Sequence, residues 1–208
     1  MNLYYQSVGR NANLLLNCPI NLEGKIPATD SARLIAWHNH LQRSFQHNLL
    51  RGIAPSVTNQ RPGKLFLPQH LTDGSIKTYW AGADGTKTAQ LTFRLPRPTE
   101  LNTVALQEYL NLGQRVERFR LEVADATGRF SPVQTTDSMT TIGYKRLIRF
   151  SAVKTSALRL TIDEARGPVC LAEVAAYLVP EVLEAPSVRR NAQDSVYIKT
   201  TAANAKLE

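Results

Sequence analysis

The sequence predicts a mainly β protein, a two-layer antiparallel sandwich preceded by one strand-helix unit, and three observations predict it. From residue 89 to 178, short segments in which apolar and polar residues alternate follow one another, divided by turn residues. Ahead of them a continuous apolar run leads into a stretch whose apolar residues recur every three or four positions. A Pro-, Ser- and Asn-rich segment separates the two.

Taken in order, Asn13-Leu-Leu-Leu-Asn17 suits a strand covered on both faces. After a turn at Asn21 to Gly24 and then Pro27, Thr29 or Asp30 offers an N-cap for a helix whose apolar face is Leu34, Trp37, Leu41, Phe45 and Leu49, closed by Gly52. One strand with one amphipathic helix is a single unit of an α/β repeat and cannot bury its own apolar faces, so residues 1–52 read as part of a larger α/β unit. Residues 53–68, with Pro55, Pro62, Gly63 and Pro68, read as a linker. The sandwich is expected over residues 69–180, with strands at Ala89–Leu95, Thr103–Tyr109, Val116–Ala124, Thr141–Phe150, Ala157–Ile162 and Val169–Leu178. Residues 181–208 are expected to hold a second linker and, at Asp194–Thr200, the opening strand of a truncated further domain.

Composition narrows the function classes. With 43% hydrophobic and 20% charged residues the chain is neither disordered nor low in complexity. The net charge of +8 raises the question of nucleic acid, but the basic residues do not cluster. Residues 1–61 hold six basic and two acidic side chains and residues 62–180 fifteen and eleven. Lys145, Arg146 and Arg149 fall in an alternating stretch, as the solvated face of a strand. No nucleic-acid partner is therefore expected. Nor is a membrane span, because no apolar run approaches the roughly eighteen residues required. Cys18 and Cys170 match no metal spacing and read as two small buried residues. His38 and His40, two apart on a helix, diverge by about 200° and cannot share a metal; with His47 they read as surface helix residues.

Residues 69–178 resemble a discoidin domain, the coagulation-factor type C or galactose-binding-like jelly roll that also forms the family 32 carbohydrate-binding modules. Leu71-Thr-Asp73-Gly74-Ser-Ile-Lys-Thr78-Tyr-Trp80 is similar to the family's Asp-Gly turn, Phe93 to Pro98 and Val104-Ala-Leu to the strands that follow, and Ala172-Glu173-Val174-Ala-Ala-Tyr177 to its closing strand. The resemblance implies a structural calcium ion with Asp73, Thr78 and Glu173 as side-chain ligands, in keeping with the preference of a hard cation for several oxygens; an Asx-turn at Asp73 is the plainer alternative. It also implies that Trp80 lies under the sandwich.

Leu106-Gln-Glu108-Tyr109-Leu-Asn-Leu-Gly113-Gln-Arg115-Val and Thr141-Ile-Gly143-Tyr144-Lys-Arg146 resemble the discoidin domain attached to α-L-fucosidases of glycoside hydrolase family 29. Ser7-Val-Gly9-Arg10-Asn11-Ala-Asn13-Leu-Leu-Leu-Asn17, with Pro19, Asn21, Gly24 and Ile26, resembles the last barrel strand and helix of the same enzymes. What this implies is a non-catalytic carbohydrate-binding or accessory region of a secreted or periplasmic fucosidase. Glu108, Tyr109 and Arg115 would contact galactose- or fucose-type sugars, and the enzyme's own catalytic barrel would be the partner. The alternative is that Glu108 and Arg115 staple the loop, in a sandwich that packs on the barrel and binds nothing. Retaining glycosidases need two carboxylates about 5 Å apart. Residues 1–52 offer only Glu23 and Asp30, so hydrolysis by this chain is not expected.

Overall fold

The computed structural model describes residues 1–180 and the backbone of Ser187–Arg190 and Val196–Lys199. Two helices come first, α1 (Asn2–Gln6) and α2 (Ala28–Phe45). Seven strands follow, β1 (Ser56–Val57), β2 (Trp80–Ala81), β3 (Ala89–Glu108), β4 (Val116–Ala124), β5 (Phe130–Pro132), β6 (Arg146–Ala165) and β7 (Cys170–Tyr177). All pairings are antiparallel, in the order β2-β7-β3-β6-β4-β5 with β1 on the free side of the first part of β3. The strand expected within Asp194–Thr200 is present as β9 (Val196–Lys199), paired with β8 (Ser187–Arg190).

The predicted β-sandwich is present, but its strands are longer than expected. Ala89–Leu95 and Thr103–Tyr109 are two parts of one twenty-residue strand, and Thr141–Phe150 and Ala157–Ile162 fall largely on another. Both pass through the two layers. The first part of β3 pairs with the second part of β6, which also carries β4; the second part of β3 pairs with the first part of β6 and with β7. The crossing is marked by a register shift between Arg94 and Thr99. Pro96 and Pro98 lie inside it, where the missing ladder N–H groups cost nothing. Between the layers lie Trp80, Phe93, Phe119, Leu121, Leu158 and Leu160, all 0–1% exposed. Trp80 is a core residue, as the resemblance implied.

The N-terminal third departs most from expectation. Asn13–Asn17 forms no strand, and Leu15 is 94% exposed. A strand of a parallel sheet takes its hydrogen bonds from neighbours on both sides, and no such neighbour exists among the described residues. Helix α2 starts at Ala28 with Pro27 as its N-cap, placing Asp30 in the first turn, and stops at Phe45 rather than Gly52. Beyond it the Asn48 side chain accepts from Leu50 N and Ala176 N, and Leu49 N donates to the carbonyl of Ala176. Leu49 and Leu50 thereby join the sandwich core. The segment read as a linker is also sandwich. Ser56 and Val57 pair with Thr92 and Leu91, and the buried Thr72 hydroxyl bonds the carbonyl of Ile53. Its composition signalled irregular backbone, which here is packed.

A second, outer core joins the N-terminal segment to the sheet. Tyr5 lies with Ala105, Leu147 and Ala175, flanked by Tyr4, Phe45 and Tyr177. Phe45 meets Tyr177 edge-on at 5.1 Å, and Arg149 lies 4.3 Å over the Tyr5 ring. Cys18 is half-exposed, against expectation, while Cys170 is buried. His40 is half-buried with its Nε2 enclosed, and His47 follows the helix end. No described helix is long and apolar enough to cross a membrane.

Candidate functional site

The two stretches singled out in the sequence do meet, and Glu108 joins them. Its side chain is buried at the end of β3, with Oε1 accepting the backbone N–H groups of Arg115 at 2.7 Å and Val116 at 2.9 Å, and Oε2 accepting that of Gly143 at 2.7 Å. A carboxylate so enclosed and so fully bonded cannot also hold a ligand hydroxyl. Arg115 is likewise committed. Its guanidinium donates to the carbonyls of Pro168 at 2.7 Å and Leu112 at 3.2 Å, and does not pair with Glu108. Two of the three expected sugar contacts are thus structural. The stapling alternative holds in a different form, through the Arg115 backbone N–H.

Tyr109 is different. It is half-exposed and stacks on Tyr79 with ring centroids 4.1 Å apart and planes 8° from parallel. Phe66 meets Tyr79 edge-on at 5.4 Å, and Arg61 lies 5.3 Å over the Phe66 ring while pairing with Asp84. Asn111 Nδ2 donates to the Tyr109 hydroxyl at 3.1 Å. The result is a loop-end patch of aromatic faces edged by an amide and a guanidinium, the groups that stack on and bond to hydroxyl-rich rings. Sequence reasoning missed Tyr79, although a signal was available: in Thr78-Tyr79-Trp80 the period of two that turns Trp80 inward turns Tyr79 outward. Phe66 and Arg61 lay in the supposed linker.

The N-terminal segment also reaches these loops. Asn11, at φ 64°, donates its N–H to the carbonyl of Lys145 at 3.0 Å, accepts Tyr144 N–H on Oδ1 at 2.6 Å, and donates from Nδ2 to Gln114 at 3.3 Å.

The candidate metal ligands lie on the Asp-Gly turn and on β7. Asp73 Oδ1 accepts Ser75 N–H at 2.8 Å, closing an Asx-turn, and Oδ2 accepts the Thr78 hydroxyl at 2.6 Å. The same hydroxyl lies 3.1 Å from the carbonyl oxygen of Ser75. Carboxylate, hydroxyl and carbonyl oxygens therefore converge, a donor set that fits a hard divalent cation. Glu173 is half-buried. Burial pushes its carboxyl up, nearby Lys145 and Arg51 draw it back, and Asp73 pushes it up further, so the two carboxylates share one local field. The Arg51 side chain lies over Gly74, so close that a β-carbon there would clash with it. Among the described residues no group of three or more His, Cys, Asp or Glu side chains is placed to hold a metal. Glu173 and Lys145 also border a cavity of about 70 Å³ beneath Tyr4 and Tyr177.

A bent two-layer antiparallel sandwich with an Asp-Gly turn, a buried Trp80 and an aromatic loop end defines a discoidin-type module. Residues 54–174 match the F5/8 type C domain, and the chain belongs to that family. It is also 36% identical over 171 residues to a protein of Oryza sativa subsp. japonica that carries alpha-L-fucosidase 1 in its name, covering 80% of this chain and 32% of that protein. A Ruminococcus gnavus GH29 fucosidase solved in complex with fucose superposes with a TM-score of 0.79 at 29% identity, covering 86% of this chain and 36% of that one. A chitosan-binding module from a Paenibacillus chitosanase/glucanase, 21% identical with a TM-score of 0.53, covers 63% of this chain and 98% of its own and shares the fold. The chain spans about a third of the length of the fucosidases it matches.

Proposed function

We propose that this chain is the C-terminal, non-catalytic accessory region of a secreted or periplasmic family 29 α-L-fucosidase, and that its sandwich holds galactose- or fucose-type sugars against the Tyr79–Tyr109 face. The half-exposed stacked pair, with the Asn111 amide at the Tyr109 hydroxyl, carries this reading. A sugar ring stacked on the open face of Tyr109 buries its apolar C–H surface while its hydroxyls reach Asn111. Hydrolysis belongs to the rest of the enzyme. Glu23 is exposed and paired with Lys25 at 3.3 Å, and Asp30 sits in the first turn of α2 beside Arg33. A divalent cation held by Asp73 and Thr78, with Glu173 completing the shell, would brace the first turn.

Titration of fucose- and galactose-terminated oligosaccharides by calorimetry tests the reading. Millimolar or tighter binding that Tyr109→Ala weakens about tenfold is expected. Absence of binding at millimolar sugar, or binding indifferent to Tyr109→Ala and Tyr79→Ala, would refute it.

A second reading, a sandwich that only braces the catalytic domain, is favoured by the outer aromatic core of Tyr4, Tyr5, Phe45 and Tyr177 and by the exposed Leu15, Ile20, Leu22 and Ile35 of the N-terminal segment. Apolar groups so exposed suit contact with a catalytic domain. Removing the sandwich from the full-length enzyme separates the two: lost stability at unchanged substrate affinity supports bracing alone.

A further inference from the structure

Beneath the N-terminal segment, two opposite charges border one small cavity without pairing. On β7, Glu173, Ala175 and Tyr177 alternate toward it, while Val174 and Ala176 turn into the main core. In register, Gln107 lies beside Glu173 and Ala105 beside Ala175, with Leu147 across from Ala105 and Lys145 two residues before Leu147. The small Ala105 and Ala175 side chains leave a hollow of about 70 Å³ between this row and the rings of Tyr4, Phe45 and Tyr177. Tyr4 and Tyr177 both pack on Phe45, at 5.9 and 5.1 Å, which holds the walls in place.

Gln107, Lys145 and Glu173 are half-buried. Among the described residues neither the Lys145 ammonium nor the Glu173 carboxylate is ion-paired or hydrogen-bonded; each feels the other only at a distance. Burial is the main cause that lowers the Lys145 ammonium and raises the Glu173 carboxyl, as for charges that have lost water without gaining a direct partner. A ligand that bonds both recovers what burial has cost. A lone cation is repelled by Lys145 and a lone anion by Glu173. Neighbouring hydroxyls of a sugar suit both, since each donates and accepts at once. At about 30 Å³ for each water-sized group the hollow takes about two hydroxyls, with the C–H surface of the ring against the aromatic walls. A small zwitterion also meets both charges but leaves those walls uncovered.

We propose that this hollow is a second carbohydrate subsite, which takes two adjacent hydroxyls of a neutral sugar, with Glu173 accepting, Lys145 donating and the Gln107 amide between them. The subsite rests on the carbohydrate reading only for the class of its ligand. It shares no residue with the Tyr79–Tyr109 face, so the two stand or fall separately.

Alanine-methyl NMR of this chain is the test, because the Ala105 and Ala175 methyls form the floor of the hollow. Chelator is present throughout, so that no cation competes for Glu173. Titration with fucose- and galactose-terminated oligosaccharides is expected to shift both methyls saturably at millimolar concentration, in Tyr109→Ala as in the wild type. Lys145→Met is expected to weaken that response about tenfold, the loss of one charge-assisted bond, while calorimetric binding at the Tyr109 face persists. Glycine at equal concentration is expected to move neither methyl. Methyls that no sugar moves in the wild type, a response unchanged in Lys145→Met, or glycine bound more tightly than sugar would overturn the proposal. Still methyls with binding that depends on Tyr109 sink the subsite alone, whereas moving methyls with a bare Tyr109 face sink the other site alone.

Discussion

Replacing Glu108 by Ala removes the acceptor for three backbone N–H groups, those of Arg115, Val116 and Gly143, on two loops 28 residues apart in sequence from Arg115 to Gly143. Each buried donor left without a partner costs about 1–3 kcal/mol, and these bonds are charge-assisted. Loop relaxation lets water reach the donors at the exposed end, so the sum falls to roughly 3–5 kcal/mol rather than three times the maximum. Glu108→Gln keeps the shape but points an amide N–H₂ at one donor, which costs about 1–3 kcal/mol. Urea denaturation of the two variants checks both values. Losses below about 1 kcal/mol in Glu108→Ala would show that the buried carboxylate does not hold the loops together, and the reasoning would fail.

Other perturbations follow from the same geometry. Asn11→Ala loses the bonds to Tyr144 and Gln114 and places a β-branch-free but chiral residue at φ 64°, for a loss of about 2 kcal/mol by urea denaturation, while Asn11→Gly, free of the backbone strain, loses less. Burial pushes the Tyr177 hydroxyl from 10.0 up to about 12. The unfolded chain therefore gives up this proton first, the folded state binds more protons between those values, and stability falls as pH rises through that window. Tyr177→Phe is expected to make the decline shallower in melts between pH 9.5 and about 12. Millimolar calcium is expected to raise the melting temperature and chelator to lower it, with Asp73→Ala insensitive to both; a wild-type melt unmoved by either rules out the cation.

The sandwich was legible because its strands carry period-two patterning, and β4 has the predicted bounds, Val116–Ala124. What patterning cannot convey is continuity. Pro96 and Pro98 read as the end of a strand, whereas the chain bends there and continues as the same strand in the other layer. Glu108, Tyr109 and Arg115 were located correctly in one loop region, but residue type does not tell whether a charge faces solvent or backbone. Burial decides it for Glu108 and hydrogen bonding for Arg115, which is half-exposed but tied to the Pro168 and Leu112 carbonyls, and both belong to the scaffold. Asn13–Asn17 shows the converse limit: the run has the composition of a buried strand, but among the described residues no neighbouring strand pairs with it.

The most direct test of the central claim is a crystal structure of this chain soaked with a fucose- or galactose-terminated oligosaccharide. A sugar ring stacked on the open face of Tyr109, with a hydroxyl bonded to Asn111, is the predicted result. A ring bound elsewhere with the Tyr79–Tyr109 pair bare would contradict it.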